Sequence, residues 1–278
     1  MMKRLLLTLL LLFGTHSVAV AGDFEDAMAA FNFEDGMAAY QRNDYATAFA
    51  KFTKAAEAGN IVAQFNLGQM YGQGKGVAQD YGQAVRWFTK AAEAGYASAQ
   101  LNLGVMFEQG RGVAQDNVQA VRWFTKAAEA GNVNAQFNLG HMYRRGQGVP
   151  QDYVQAVLWY TKAADAGNAG AQNSLGVMYA EGQGMPQDYV QAHQWFNIAA
   201  ATMTDKEQRE QAVRNRDLVA GKMSQQQLAE AQRLAREWKP TTGTAPDRRQ
   251  DTGGREPAAS GTGFVISRQG HILTNNHV

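Results

Sequence analysis

Side chains able to do chemistry are few in this chain of 278 residues. There is no cysteine, which excludes thiol nucleophiles, thiolate metal sites and disulfides. The histidines are His16, His141, His193, His271 and His277. No two stand four apart, so no helix presents a pair of imidazoles to one ion, and no metal site is expected. The stretch "GQGKG" at Gly72–Gly76 has the glycine content of a phosphate-binding loop. It follows a helical pattern rather than a strand and lacks a G-K-[ST] element, so no cofactor is expected there. Glu57, Glu93, Glu129 and Asp165 recur with Lys54, Lys90, Lys126 and Lys162 three residues earlier. Solvated pairs on a helix surface account for them. What remains is the closing "GHILTNNHV". A histidine acts as a general base in acyl transfer only beside a nucleophile and an orienting carboxylate. No serine of the chain stands in a G-x-S-G context.

The elements that would position any site are repeats. "AEAGN" returns as "AEAGY", "AEAGN" and "ADAGN", and its glycines, Gly59, Gly95, Gly131 and Gly167, are spaced by 36 residues. Leu67, Leu103, Leu139 and Leu175 follow the same step, as do Trp87, Trp123, Trp159 and Trp195. Each copy reads as two helices. The first carries Ala63, Leu67, Met70 and Tyr71 at i, i+4, i+7 and i+8. After the glycine-rich loop, Asp80 can cap the second helix, with Gln83 completing a D-x-x-Q capping box. Tyr81, Ala84, Val85, Phe88, Ala91 and Ala92 line one face of it, and Gly95 closes it in a left-handed turn. Small residues such as Gly68 and Ala84 let helix axes approach, while Tyr71, Trp87 and Phe88 fill the space between pairs. One helix pair cannot bury its own apolar face, so neighbours must stack.

The expected organisation is therefore all-α: an α-solenoid of 36-residue helix pairs over 60–95, 96–131, 132–167 and 168–203. Capping helices are expected at 22–59 and 204–239. Ahead of them, Lys3 and Arg4, the apolar run Leu5–Phe13 and "AVA" at Ala19–Ala21 read as a secretory signal peptide over 1–21. Export to a periplasmic or secreted location is expected, with no stable membrane span after cleavage. Residues 240–259, rich in Thr, Pro, Gly and charge, read as a disordered linker, and 260–278 as a short, incomplete β-hairpin. The net charge of +1 offers nucleic acid no electrostatic footing.

The repeat "AQFNLGQMYGQGKGVAQDYGQAVRWFTKAAEAG" at Ala63–Gly95, with its copies, resembles the Sel-like family, relatives of the tetratricopeptide repeat. The resemblance spans roughly Phe33–Trp238 and implies a right-handed solenoid acting as an adaptor or scaffold. Some bacterial members are secreted and cysteine-rich. This chain departs from that subgroup, so its functions do not carry over. The tail, "SGTGFVIS" at Ser260–Ser267 and "GHILTNNHV" at Gly270–Val278, resembles the start of a trypsin-like serine protease domain of the periplasmic Htr/Deg type. That resemblance implies His277 as the general base of a triad whose aspartate and serine lie further along in the family. With one triad residue of three, the chain itself is not expected to be an enzyme. A longer product would be a fusion of repeats and protease, the solenoid recruiting substrate.

Comparison among the copies separates scaffold from surface. Phe65, Leu101, Phe137 and Asn173 occupy one variable position, and Gln69, Val105, His141 and Val177 another. A third holds Gly72, Glu108, Arg144 and Ala180. First helices in such solenoids commonly face the concave side. The first two sets are the expected binding residues for a protein or peptide partner in the cell envelope. His141, at a variable position, is expected to be solvent-exposed.

Overall fold

The computed structural model describes residues 18–241, with side chains from Met28 onward, and the backbone of two short strands. Twelve helices occur among the described residues. They are α1 (Val18–Gln41), α2 (Tyr45–Glu57), α3 (Ile61–Gln73), α4 (Tyr81–Glu93), α5 (Ala97–Gln109) and α6 (Asn117–Glu129). They continue as α7 (Val133–Arg145), α8 (Tyr153–Asp165), α9 (Ala169–Glu181), α10 (Tyr189–Thr202), α11 (Lys206–Ala220) and α12 (Gln225–Glu237). Strands β1 (Phe264–Ile266) and β2 (Ile272–Thr274) pair antiparallel, Val265 opposite Leu273. The chain divides into two compact units. One holds residues up to 99 together with 111–114; the other holds 100–110 and the residues from 115.

Helix boundaries follow from local chemistry. Asp80, Asp116, Asp152 and Asp188 cap the second helices, Asp80 accepting from the Gln83 amide at 2.9 Å. The expected reciprocal box is seen instead at Ser224, whose amide donates to Gln227 Oε1 at 2.9 Å while Ser224 Oγ accepts from the Gln227 amide. Asn60, Asn132 and Asn168 cap α3, α7 and α9. Between the two helices of each pair a glutamine holds the loop: Gln151 Nε2 donates to the Arg144 carbonyl at 2.9 Å.

Successive pairs are joined by contacts with no room to spare. A Cβ on Gly148 would lie 2.2 Å from the Asn117 carbonyl oxygen, at a φ of +74°, and Gly76 meets Tyr45 in the same way. Only glycine fits both the left-handed conformation and the backbone approach. Gln64 Nε2 donates to the Ala56 carbonyl at 3.2 Å and Gln172 Nε2 to the Ala164 carbonyl at 3.1 Å, closing the ends of the preceding second helices. In the first unit the core is Phe52, Leu67 and Met70 with the alanines around them. In the second, one cluster centres on Phe124, Leu139 and Met142, another on Tyr160, Leu175, Met178 and Phe196. Within each unit the architecture is that of a helix-pair solenoid.

Three expectations are revised. Lys90, Lys126 and Lys162 lie over the rings of Trp87, Trp123 and Trp159, their ammonium groups 4.1, 4.3 and 4.3 Å from the centroids. The lysines serve as cation–π lids on the tryptophans, because a ring four carbons' reach away stays in place while an exposed carboxylate is hydrated. The start of the expected linker is tied down: the Thr241 amide and hydroxyl both donate to the Asp165 carbonyl, at 2.7 and 3.0 Å. His141 is half-buried rather than exposed, because Phe137 and Tyr160 pack against its ring. Residues 1–17 of the expected signal peptide and 242–259 of the expected linker lie outside the described residues, as does His277.

Candidate functional site

The variable positions of the third and fourth copies converge on one groove. It is lined by Phe137, His141 and Arg144 of α7, by Asn173, Ser174 and Val177 of α9, and by Gln208 and Gln211 of α11. Its volume is about 570 Å³, within the range of clefts that take ligands. Four of the expected binding residues, Phe137, His141, Asn173 and Val177, thus share one surface. The other four do not line it. Phe65 packs on Phe88 and Tyr96, with centroids 5.8 and 5.0 Å apart, and Leu101 and Val105 pack against the Phe124 cluster. Gln69 is half-buried on α3.

Aromatic rings build one side of the groove. The Phe137 ring meets His141 edge-on at 4.7 Å, and His141 meets Tyr160 edge-on at 5.6 Å. Gly170 lies against the same phenylalanine: a Cβ there would approach Phe137 Cζ to 3.0 Å. Amides supply the polar walls. Asn168 accepts from the Ala171 amide as the cap of α9 and donates to Asn134 Oδ1 at 3.3 Å. Asn215 donates to Asn173 Oδ1 at 3.4 Å. Gln211 accepts from Arg214 and donates to Asn215.

Electrostatics at the groove are one-signed. Among its described lining residues, Arg144 alone carries a full charge. Burial, reinforced by Arg144 and Arg145, pushes the His141 imidazole down to about 4, so it is neutral at pH 7. Burial pushes the Tyr160 hydroxyl upward, so it remains a protonated donor. Tyr160 is fully buried, with Arg144 and Ser174 beside its hydroxyl. Its Oη and Arg144 Nε are both buried and have no hydrogen-bond partner.

Sequence reasoning missed Tyr160, Ser174, Gln208 and Gln211. A signal existed for the first two. Phe88, Phe124 and Phe196 occupy the position of Tyr160, and Asn66, Asn102 and Asn138 that of Ser174. Gln208 and Gln211 carry no such mark, since α11 lies beyond the copies and only tertiary packing brings it to the groove. Among the described residues no group of three acidic or histidine side chains gathers to hold a metal, and no helix is long and apolar enough to cross a membrane.

Paired helices stacked at tight glycine joints define an all-α repeat protein. The family description "Sel1 repeat" matches at 27–60, 61–96, 97–132, 133–168 and 169–201, and the chain belongs to that family. The match includes 27–60, the segment ahead of the four copies. A Sel1 repeat protein from Oxalobacter formigenes is similar at 33% identity and a TM-score of 0.62, over 76% of this chain and 88% of that one. The protective antigen c5321, present in uropathogenic Escherichia coli strains and displaying an SLR fold, is 29% identical with a TM-score of 0.50. That similarity covers 88% of this chain and 59% of the antigen. No curated protein matches the chain. Repeats of this kind are scaffolds for protein–protein interaction.

Proposed function

We propose that the chain is an exported scaffold that holds an extended segment of a protein partner in the groove between α7, α9 and α11. The observation that carries this reading is the convergence of Phe137, His141, Asn173 and Val177, variable among the copies, on one wall of the groove. Rings offer apolar contact there, and side-chain amides offer donors and acceptors suited to a peptide backbone. Lys3, Arg4, the Leu5–Phe13 run and Ala19–Ala21 support export into the cell envelope. The test is to pass a randomised library of capped hexapeptides over the immobilised mature chain and map retained peptides by backbone amide NMR. Shifts at Asn173, Val177 and Gln211 are expected. Retained peptides that shift only residues elsewhere, or no retention, would refute the groove.

A second reading concerns the gene rather than the groove. The G-T-G-F and T-N-x-H-V elements, and the antiparallel pairing of Phe264–Ile266 with Ile272–Thr274, favour a fusion in which the repeats recruit substrate for a protease whose general base would be His277. Reading the locus past codon 278 tests it: an open frame with an aspartate and a G-x-S-G serine is expected, and an immediate stop with no remnant sinks it.

A further inference from the structure

The groove wall and the core directly beneath it contain polar groups that the repeat scaffold itself does not need. Where Tyr160 stands, the other copies place Phe88, Phe124 and Phe196; where Arg144 stands, they place Gly72, Glu108 and Ala180. The fold therefore forms without a hydroxyl or a guanidinium at these positions. Both departures fall in the same copy, and their side chains lie side by side.

Both are also left unsatisfied. Tyr160 is wholly buried, and Arg144 and Ser174 lie against its hydroxyl without a well-aligned hydrogen bond. Arg144 Nε is buried without a partner, and Arg144 takes part in none of the described ion pairs. A buried donor without an acceptor is destabilising, and native chains keep few of them. Arg144, a cation on the wall of an open groove with no described counter-ion, forms half of a charge-assisted hydrogen-bond pair. Among the described lining residues the groove supplies amides, hydroxyls and rings but no carboxylate to complete it.

We infer that the groove selects a peptide carboxylate, which accepts from the Arg144 guanidinium, backed by the buried Tyr160 hydroxyl, while neighbouring amides such as Asn173 and Gln211 meet the peptide backbone. One guanidinium with neutral donors matches a single negative charge better than a doubly charged phosphate. His141, neutral between Phe137 and Tyr160, walls the site without repelling a cation; the charged groups bearing on it are Arg144 and Arg145. This inference rests on the groove as a peptide site and adds the chemistry of what it selects.

The test uses the same hexapeptide library on the full mature chain, synthesised once with amidated and once with free C-termini, and read by the sequences retained. At least tenfold enrichment of Asp and Glu over Asn and Gln at one position is expected if the carboxylate is a side chain. Preference for the free-acid library is expected if it is the chain terminus. Arg144→Gln should abolish either preference, and Arg144→Glu should turn it toward Lys and Arg. Tyr160→Phe, which removes the hydroxyl backing Arg144, should weaken the preference less than Arg144→Gln does. These variants should keep the fold, since other copies carry Glu108 and Phe124 at the same positions; an unchanged circular dichroism spectrum is the check. Peptides retained in the groove without an acidic preference, or with a preference that survives Arg144→Gln, overturn the carboxylate while leaving the groove standing. No retention in the groove overturns both.

Discussion

Phe65 and Phe137 occupy the same repeat position, one in each compact unit, and their surroundings differ. Phe65 lies between Phe88 and Tyr96 and belongs to a filled apolar joint. Phe137 has Tyr160 where Phe65 has Phe88, and Asn168 where Phe65 has Tyr96. Asn168 is small and bends back to cap α9, so the space that Tyr96 fills in the first unit stays open in the second. Two substitutions on one backbone plan separate packing from a site. The repeat provides a constant frame, and specificity resides in a handful of side chains at fixed places.

That comparison predicts equal damage where the two regions are alike. A Cβ on Gly68 would lie 2.8 Å from the Phe88 ring, and one on Gly140 2.6 Å from the Tyr160 ring. Gly68→Val and Gly140→Val should each cost about 3 kcal/mol of unfolding free energy in urea titrations. A cost confined to one of them would show that the joints are not equivalent frames. Exchanging the ring chemistry should have opposite signs in the two regions. Phe88→Tyr inserts a hydroxyl into an apolar joint and should destabilise by about 2 kcal/mol. Tyr160→Phe removes an unpartnered hydroxyl and should stabilise by about 1 kcal/mol, while weakening retention of acidic peptides. A destabilised Tyr160→Phe would mean that its hydroxyl has a partner.

Asn168→Tyr would make the second region imitate the first. It removes the bond to the Ala171 amide, costing about 1 kcal/mol, and lays a ring over Phe137. Peptide retention should fall even where the chain stays folded. The last effect concerns pH. The folded His141 value of about 4 lies below the ordinary 6.5, so the unfolded chain binds the proton more readily. Its contribution to stability is complete above pH 6.5 and is lost progressively as pH falls from 6.5 toward 4. His193, also lowered by burial, acts in the same direction, and Glu108, raised by burial, acts in the opposite one. The melting temperature should therefore drop less between pH 7 and 4 in His141→Val, which places the residue of the second and fourth copies at that position. An unchanged slope would show that His141 is solvated.

Much of the frame is legible in the residues alone. The 36-residue step, the capping aspartates and the left-handed glycines are local signals, each set by the backbone within a turn or two. Part of the site was legible for the same reason: comparing copies marks Phe137, His141, Asn173 and Val177 as positions free to vary. The partners of the lysines were misread because sequence spacing on a helix cannot rank a ring against a carboxylate. Both lie within reach of Lys90, and the geometry of Trp87 decides.

The sequence by itself determined that this chain builds repeated helix pairs, where the second helix of each copy starts and stops, and which positions are free to vary. Those properties rest on periodicity and caps, which act over a few residues. Only the tertiary structure decided that the free positions open into a groove in one place and close into a core in another. It alone brought Gln208 and Gln211 of α11 beside Asn173, and set the Tyr160 hydroxyl against Arg144. Whether a polar side chain is satisfied depends on atoms supplied by distant segments, and no local pattern carries that information.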